Sequence, residues 1–160
     1  MLFTGEYEHT IDTKLRLAIP SELRARLEGS DHTNVFYLVP GPNGALWLWP
    51  EKTFELMASA SKPSLLPAEE MMEFEELLFS QARRLEMDKT GRVRLPERMR
   101  REAQLGDAVA ILGVRDHLEL RDAEAWEQRR RQKLDKQVEI MLKARRALEE
   151  QQSSTNQDQS

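Results

Sequence analysis

Residues Asp12–Arg24 read DTKLRLAIPSELR, and residues Asp88–Arg100 read DKTGRVRLPERMR. At the shift of 76 residues that takes Asp12 onto Asp88, Arg16 falls on Arg92, Pro20 on Pro96 and Arg24 on Arg100. Apolar positions agree at the same shift: Leu17 with Val93, Ile19 with Leu95, and Leu23 with Met99. Working outward, VFYLV at 35–39 corresponds to VAILG at 109–113, and LWLW at 46–49 to LELR at 118–121. Phe54 then matches Trp126 as an aromatic at the start of a helical stretch. Three segments agreeing in one order indicate a duplicated unit of about 45 residues.

Each copy has a physical reading. Phe3, Tyr7 and Ile11 recur among polar residues as on a half-buried strand. After a turn at Asp12–Leu15, the next strand places Leu15, Leu17 and Ile19 on one face and Lys14, Arg16 and Ala18 on the other. Pro20 stops that strand and opens a short helix whose Leu23 and Leu27 form one apolar stripe. Val35–Val39 and Leu46–Trp49 are apolar strands joined by the turn cluster Pro40–Gly44. The second copy repeats the plan, with a strand at Leu85–Met87, a turn at Asp88–Gly91, Val93 and Leu95 inward, and Arg92 and Arg94 outward. A unit of this size buries too little surface to stand alone, and its open strand edges need covering. The two copies are therefore expected to share one core.

The expected organisation is a first half-domain at 5–51, a linker and amphipathic helix at 52–79, and a second half-domain at 80–123. A C-terminal helix follows at 124–150, then a polar, disordered tail at 151–160. The linker helix, drawn at Pro67–Leu85, carries Met71, Phe74, Leu78 and Ala82 at helical spacing.

Composition bounds the function. There is no cysteine, which excludes disulfides and thiolate metal sites and suits a reducing cytosol. The N-terminal residues MLFTGEYEH lack the apolar stretch of a signal peptide, and no run approaches a membrane span of about 18 apolar residues. A cytoplasmic protein is expected. The net charge of −4 argues against DNA binding only if charge is evenly spread. It is not: Glu69–Glu76 is an acidic block, and a basic one follows at Arg83, Arg84, Lys89, Arg92, Arg94, Arg98, Arg100 and Arg101. Such blocks also arise as salt-bridged helix faces, so charge alone leaves both readings open.

Taken together, GEYEHTIDTKLRLAIPSELR, DKTGRVRLPERMR, and AILGVRDHLEL followed by Trp126 resemble the MraZ family over roughly Met1–Trp126. The resemblance implies an α+β, mainly β fold of two tandem AbrB-like (SpoVT-AbrB) swapped-hairpin half-domains in one pseudo-symmetric barrel-like core. It implies a DNA-binding transcriptional regulator, a ring-forming homo-oligomer associated with the nucleoid. The ring would bind direct repeats of double-stranded DNA at the promoter of the cell-division and cell-wall gene cluster, as a repressor. No cofactor, metal, membrane or small-molecule substrate is implied. The family signature, an Asp, three residues, then an Arg, falls on Asp12 with Arg16 and on Asp88 with Arg92. The glycine that usually precedes the Arg is present as Gly91 but replaced by Leu15, so the first loop is expected to be less well formed.

The expected DNA-contact residues are Arg16, Arg92, Lys14, Lys89 and Arg94, with Asp12, Asp88 and Gly91 shaping the loops. An Asp opening a turn accepts backbone N–H groups, and an Arg just beyond it offers a planar fork to phosphate or guanine. The same pair also reads as an ion pair that only staples the turn. An enzyme is not expected: His9, His32 and His117 have no metal-ligand spacing, and Gly41–Gly44 lacks the lysine of a phosphate loop. Trp47, Trp49, Phe36 and Tyr37 read as packing residues rather than a base-stacking platform. The rival reading is an antitoxin-like AbrB-fold protein that binds a partner protein through its C-terminal extension.

Overall fold

The computed structural model describes residues 1–28, 34–60 and 62–158. His32 lies outside them. The chain divides into two compact units, Met1–Ala123 and Glu124–Ser160. In the first unit the elements follow the duplication. The first copy gives β1 (Glu6–Thr10), β2 (Arg16–Ala18), α1 (Ser21–Ala25), β3 (Val35–Pro40), β4 (Leu46–Pro50) and α2 (Glu51–Ala60). After α3 (Glu69–Gln81), the second gives β5 (Arg83–Glu86), β6 (Arg92–Arg94), α4 (Glu97–Glu102), β7 (Ala108–Val114) and β8 (His117–Asp122).

The strands form a six-stranded antiparallel sheet, in the order β1-β7-β8-β4-β3-β5, and a two-stranded ribbon of β2 and β6. Exchanging the two copies reverses that order and leaves it unchanged, which is a pseudo-two-fold relation. The copies are interleaved: β1 pairs with β7 of the second copy from Glu6↔Leu112 to Thr10↔Ala108, and β5 pairs with β3 of the first. They meet again at β4–β8, where Leu46 faces Leu120 and Leu48 faces Leu118. Alternation sends Leu17, Val93, Leu95, Phe36, Leu38, Leu48, Ile111 and Leu120 into one shared core with Leu23 and Met99 of the short helices. Pro20 and Pro96 precede α1 and α4 at equivalent places and accept the first helical N–H groups, Arg24 N and Arg100 N, each at 3.0 Å.

The opposite face of the first hairpin carries a smaller cluster of Val39, Trp49 and Phe54. Phe54 of α2 stacks on Tyr37 at 4.6 Å between ring centroids and meets Phe79 of α3 edge-on at 6.1 Å. The linker helix is shorter than drawn from the sequence and its contact stripe differs. Leu78 and Ala82 pack against the cluster, whereas Met71 and Phe74 are exposed. The pattern of spacing was helical, but only the last turn of the helix reaches the sheet.

In the second unit the single helix expected at 124–150 is two, α5 (Ala123–Asp135) and α6 (Gln137–Asp158). The tail expected to be disordered at 151–160 is helical as far as Asp158. Its hydroxyls bond back within the helix: Ser153, Ser154 and Thr155 each donate to the carbonyl four residues back. None of the described side chains of this helix is buried.

Candidate nucleic-acid interface

The two signature loops have the same internal geometry. Asp12 Oδ1 accepts the backbone N–H groups of Lys14 and Arg16, each at 2.9 Å, and Oδ2 accepts Arg16 Nε at 2.7 Å. Asp88 Oδ1 accepts Thr90 N at 2.9 Å, Thr90 Oγ1 at 2.8 Å and Arg92 N at 3.0 Å, and Oδ2 accepts Arg92 Nε at 2.9 Å. Each loop is closed by backbone bonds, Leu15 N to Asp12 O and Gly91 N to Asp88 O, both 3.0 Å. Donation from the Arg16 backbone N–H, joined by the Arg16 side chain and the Lys14 N–H, outweighs desolvation and holds the Asp12 carboxyl below its usual range. The Arg92 N–H, helped by Thr90, does the same to Asp88 more strongly. Both aspartates therefore stay ionised at neutral pH.

The expectation of a less well-formed first loop is not met. Leu15 adopts φ 62°, beside φ 83° for Gly91, and makes the equivalent turn. The left-handed conformation costs a non-glycine residue roughly 1–2 kcal/mol. Packing of the half-buried Leu15 side chain against the core, with the bonds to Asp12, offsets it.

Between the loops lies the β2–β6 ribbon, in which Arg16 faces Arg94, Leu17 faces Val93, and Ala18 faces Arg92. Leu17 and Val93 are fully buried, so alternation puts Arg16, Arg92 and Arg94 on the outer face. Arg16 and Arg94 are directly opposed like charges, an arrangement that costs stability in a free protein and favours an anion between them. In both loops the aspartate takes Nε, so Nη1 and Nη2 of Arg16 and Arg92 have no hydrogen-bond partner among the described residues. Lys14 and Lys89 are exposed at the loop tips. Much of the remaining basic block is engaged: Arg84 with Glu51, Arg98 with Glu102, and Arg100 with Asp107. A surface with five cations, Lys14, Arg16, Lys89, Arg92 and Arg94, against two loop carboxylates is thus concentrated on one ribbon of an acidic protein.

Comparison with known proteins gives the same duplication. The family model described as "MraZ protein, putative antitoxin-like" matches residues 2–74 and again 78–150. The chain belongs to the MraZ family. Its relatives include the Transcriptional regulator MraZ of Roseiflexus castenholzii, 35% identical over 127 residues, covering 79% of this chain and 85% of that protein. The protein of the same name from Mycoplasmoides gallisepticum is 33% identical over 139 residues, 87% of this chain and 94% of that one. That from Finegoldia magna is 34% identical over 127 residues, with coverage of 79% and 85%. This is not an enzyme family.

The structure brings every sequence-selected site residue onto the ribbon or its two loops. Sequence reasoning passed over two others. Arg24, which the sequence marks only through its match with Arg100, lies against Gly91. His117, which has no metal-ligand spacing in the sequence, is buried between Trp47 and Trp49, at 4.3 and 4.4 Å between ring centroids. Its Nδ1 lies 3.0 Å from Asp116 and its Nε2 3.2 Å from Glu119, which also accepts from Asn43 and Arg121. The signal available was the run His117, Glu119 and Arg121 alternating with Leu118 and Leu120, whose polar members are buried and form a network.

Proposed function

We propose that this chain is a transcriptional regulator that grips double-stranded DNA with its two Asp–Arg loops and the arginine ribbon between them. The observation that carries the reading is the pair of ordered loops whose arginines keep their terminal nitrogens without a partner among the described residues. Family membership and the relatives' names support regulation of transcription. Lys14, Arg16, Lys89, Arg92 and Arg94 make the contacts, while Asp12, Asp88 and Gly91 hold the loop shape.

We place the target at the promoter of the cell-division and cell-wall cluster, and the protein in the cytoplasm on the nucleoid. The interleaved sheet and ribbon close as a barrel-like core, and chains assemble as a homo-oligomeric ring. Exposed apolar residues on α2 and α3, among them Leu56, Met72, Phe74 and Leu77, are the surface suited to assembly. A ring suits direct repeats, because neighbouring chains present one loop in one sense and bind with high effective concentration. Equilibrium binding to a labelled promoter duplex across a salt series tests this. Affinity is expected to fall steeply with salt, with a slope of about −0.9 for each phosphate contacted. Absence of duplex binding at low salt would favour the antitoxin-like reading instead.

A further inference from the structure

Arg24 of α1 and Arg100 of α4 are matched by the duplication, but their side chains are used differently. Arg100 donates Nε to Leu105 O at 3.2 Å and pairs through Nη2 with Asp107 at 2.7 Å. Arg24 donates Nε to Ile19 O at 3.0 Å and has no carboxylate partner among the described residues. Its guanidinium lies over the second loop, belonging to the other copy. A Cβ built on Gly91 would stand 2.6 Å from Arg24 Nε and Cζ and 2.7 Å from Cδ. The backbones meet there too, with Ile19 N donating to Gly91 O at 2.8 Å.

The mirror position is filled otherwise. Leu95 N donates to Leu15 O at 2.8 Å, reproducing the Ile19–Gly91 bond. But residue 15 carries a side chain, packed against the core, where Gly91 leaves bare backbone. An arginine cannot lie over Leu15 as Arg24 lies over Gly91, and Arg100 turns away to Asp107. Gly91 thus does more than permit a positive φ. It admits a third cation beside Lys89 and Arg92, with no acidic partner among the described residues to neutralise it.

We propose that Arg24 is a further DNA-contact residue, its terminal nitrogens binding backbone phosphate beside the second loop. The chain then presents two unequal loops, with Asp88–Arg92 the stronger. A planar fork anchored through Nε has lost its freedom before DNA arrives, and its two outer nitrogens match phosphate oxygens. This inference rests on the proposed DNA-binding function.

The test is fluorescence anisotropy across a salt series, using a labelled promoter duplex and a scrambled duplex of equal length. Arg24→Gln is expected to bind both duplexes about 5- to 10-fold more weakly, with the salt slope shallower by about one per engaged chain. Arg100→Gln, which removes a cation already paired, is expected to leave the slope unchanged. Wild-type far-UV circular dichroism from the Arg24→Gln protein establishes that its fold is intact. A second measurement needs no variant: phenylglyoxal labelling of the wild-type protein, with and without saturating duplex, read by mass spectrometry. Protection of Arg24 by DNA is expected. A folded Arg24→Gln protein with wild-type affinity and slope, or an Arg24 unprotected by DNA, overturns the inference. If Arg92→Ala weakens binding in the same series, the loop reading survives that failure. If Arg92→Ala also binds normally, the reading beneath it has failed.

Discussion

Leu15 and His117 are both residues whose local cost is met by neighbours. At Leu15, the bonds to Asp12 and burial of the side chain hold a backbone conformation that leucine alone would avoid. At His117, burial on its own would push the imidazole pKa down. The carboxylates of Glu119 and Asp116 outweigh burial and raise it. Glu119 would likewise be pushed up by burial, but His117, Asn43 and Arg121 hold it at about 2. The signs set the pH dependence. A raised histidine contributes stability that is complete below its unfolded pKa of about 6.5 and disappears as pH rises through the folded value. A depressed glutamate contributes above about 4.3 and is lost as pH falls towards 2. The urea midpoint of the wild type is therefore expected to decline as pH rises above about 6.5 and through the raised folded value. His117→Gln should flatten that decline. An unchanged decline in His117→Gln would show that another group causes it.

Among elements, α2 and the last turn of α3 are held to the sheet chiefly through Phe54. It is 7% exposed and touches rings from both β3 and α3. Phe54→Ala is expected to cost about 3 kcal/mol, the lower end for a buried phenylalanine, read as a lower urea midpoint at unchanged slope. A loss below about 0.5 kcal/mol, the size of a surface substitution, would mean the helix is held elsewhere. Elements were the most legible part of the sequence. Alternation at Leu17–Ile19 and Val93–Leu95 located the ribbon, prolines located the short helices, and the cluster Pro40–Gly44 located a hairpin. Pairings were less legible, because β1 with β7 and β5 with β3 join residues that no local pattern connects. His117 was missed for the same reason: its ring neighbours come from β4, across the sheet. The helical tail differs from the expectation because low hydrophobicity reports on packing and not on helix formation: Gln151 and Gln152 suit a helix, and the Ser153, Ser154 and Thr155 hydroxyls bond back into it.

At the scale of the whole molecule, interleaving means that neither copy has a complete sheet. A fragment of residues 1–62 lacks the partner of β1, and a fragment of residues 63–160 lacks the partner of β5. Each fragment alone is expected to give a poorly dispersed proton NMR spectrum, and an equimolar mixture to recover dispersion. A well-dispersed monomeric spectrum from either fragment would contradict the shared core. The same pseudo-symmetry sets the two arginine loops at opposite ends of one short ribbon, and the functional account stands on them. Its most direct test is promoter-duplex affinity of the Arg16→Ala/Arg92→Ala double variant, alongside circular dichroism and light scattering. A loss of about 1–3 kcal/mol per engaged loop is expected if the arginines read bases, and less if they hold phosphate. Fold and oligomer size should stay as in the wild type. A double variant that binds as tightly as the wild type but melts earlier would contradict it, leaving the two ion pairs as staples of their turns.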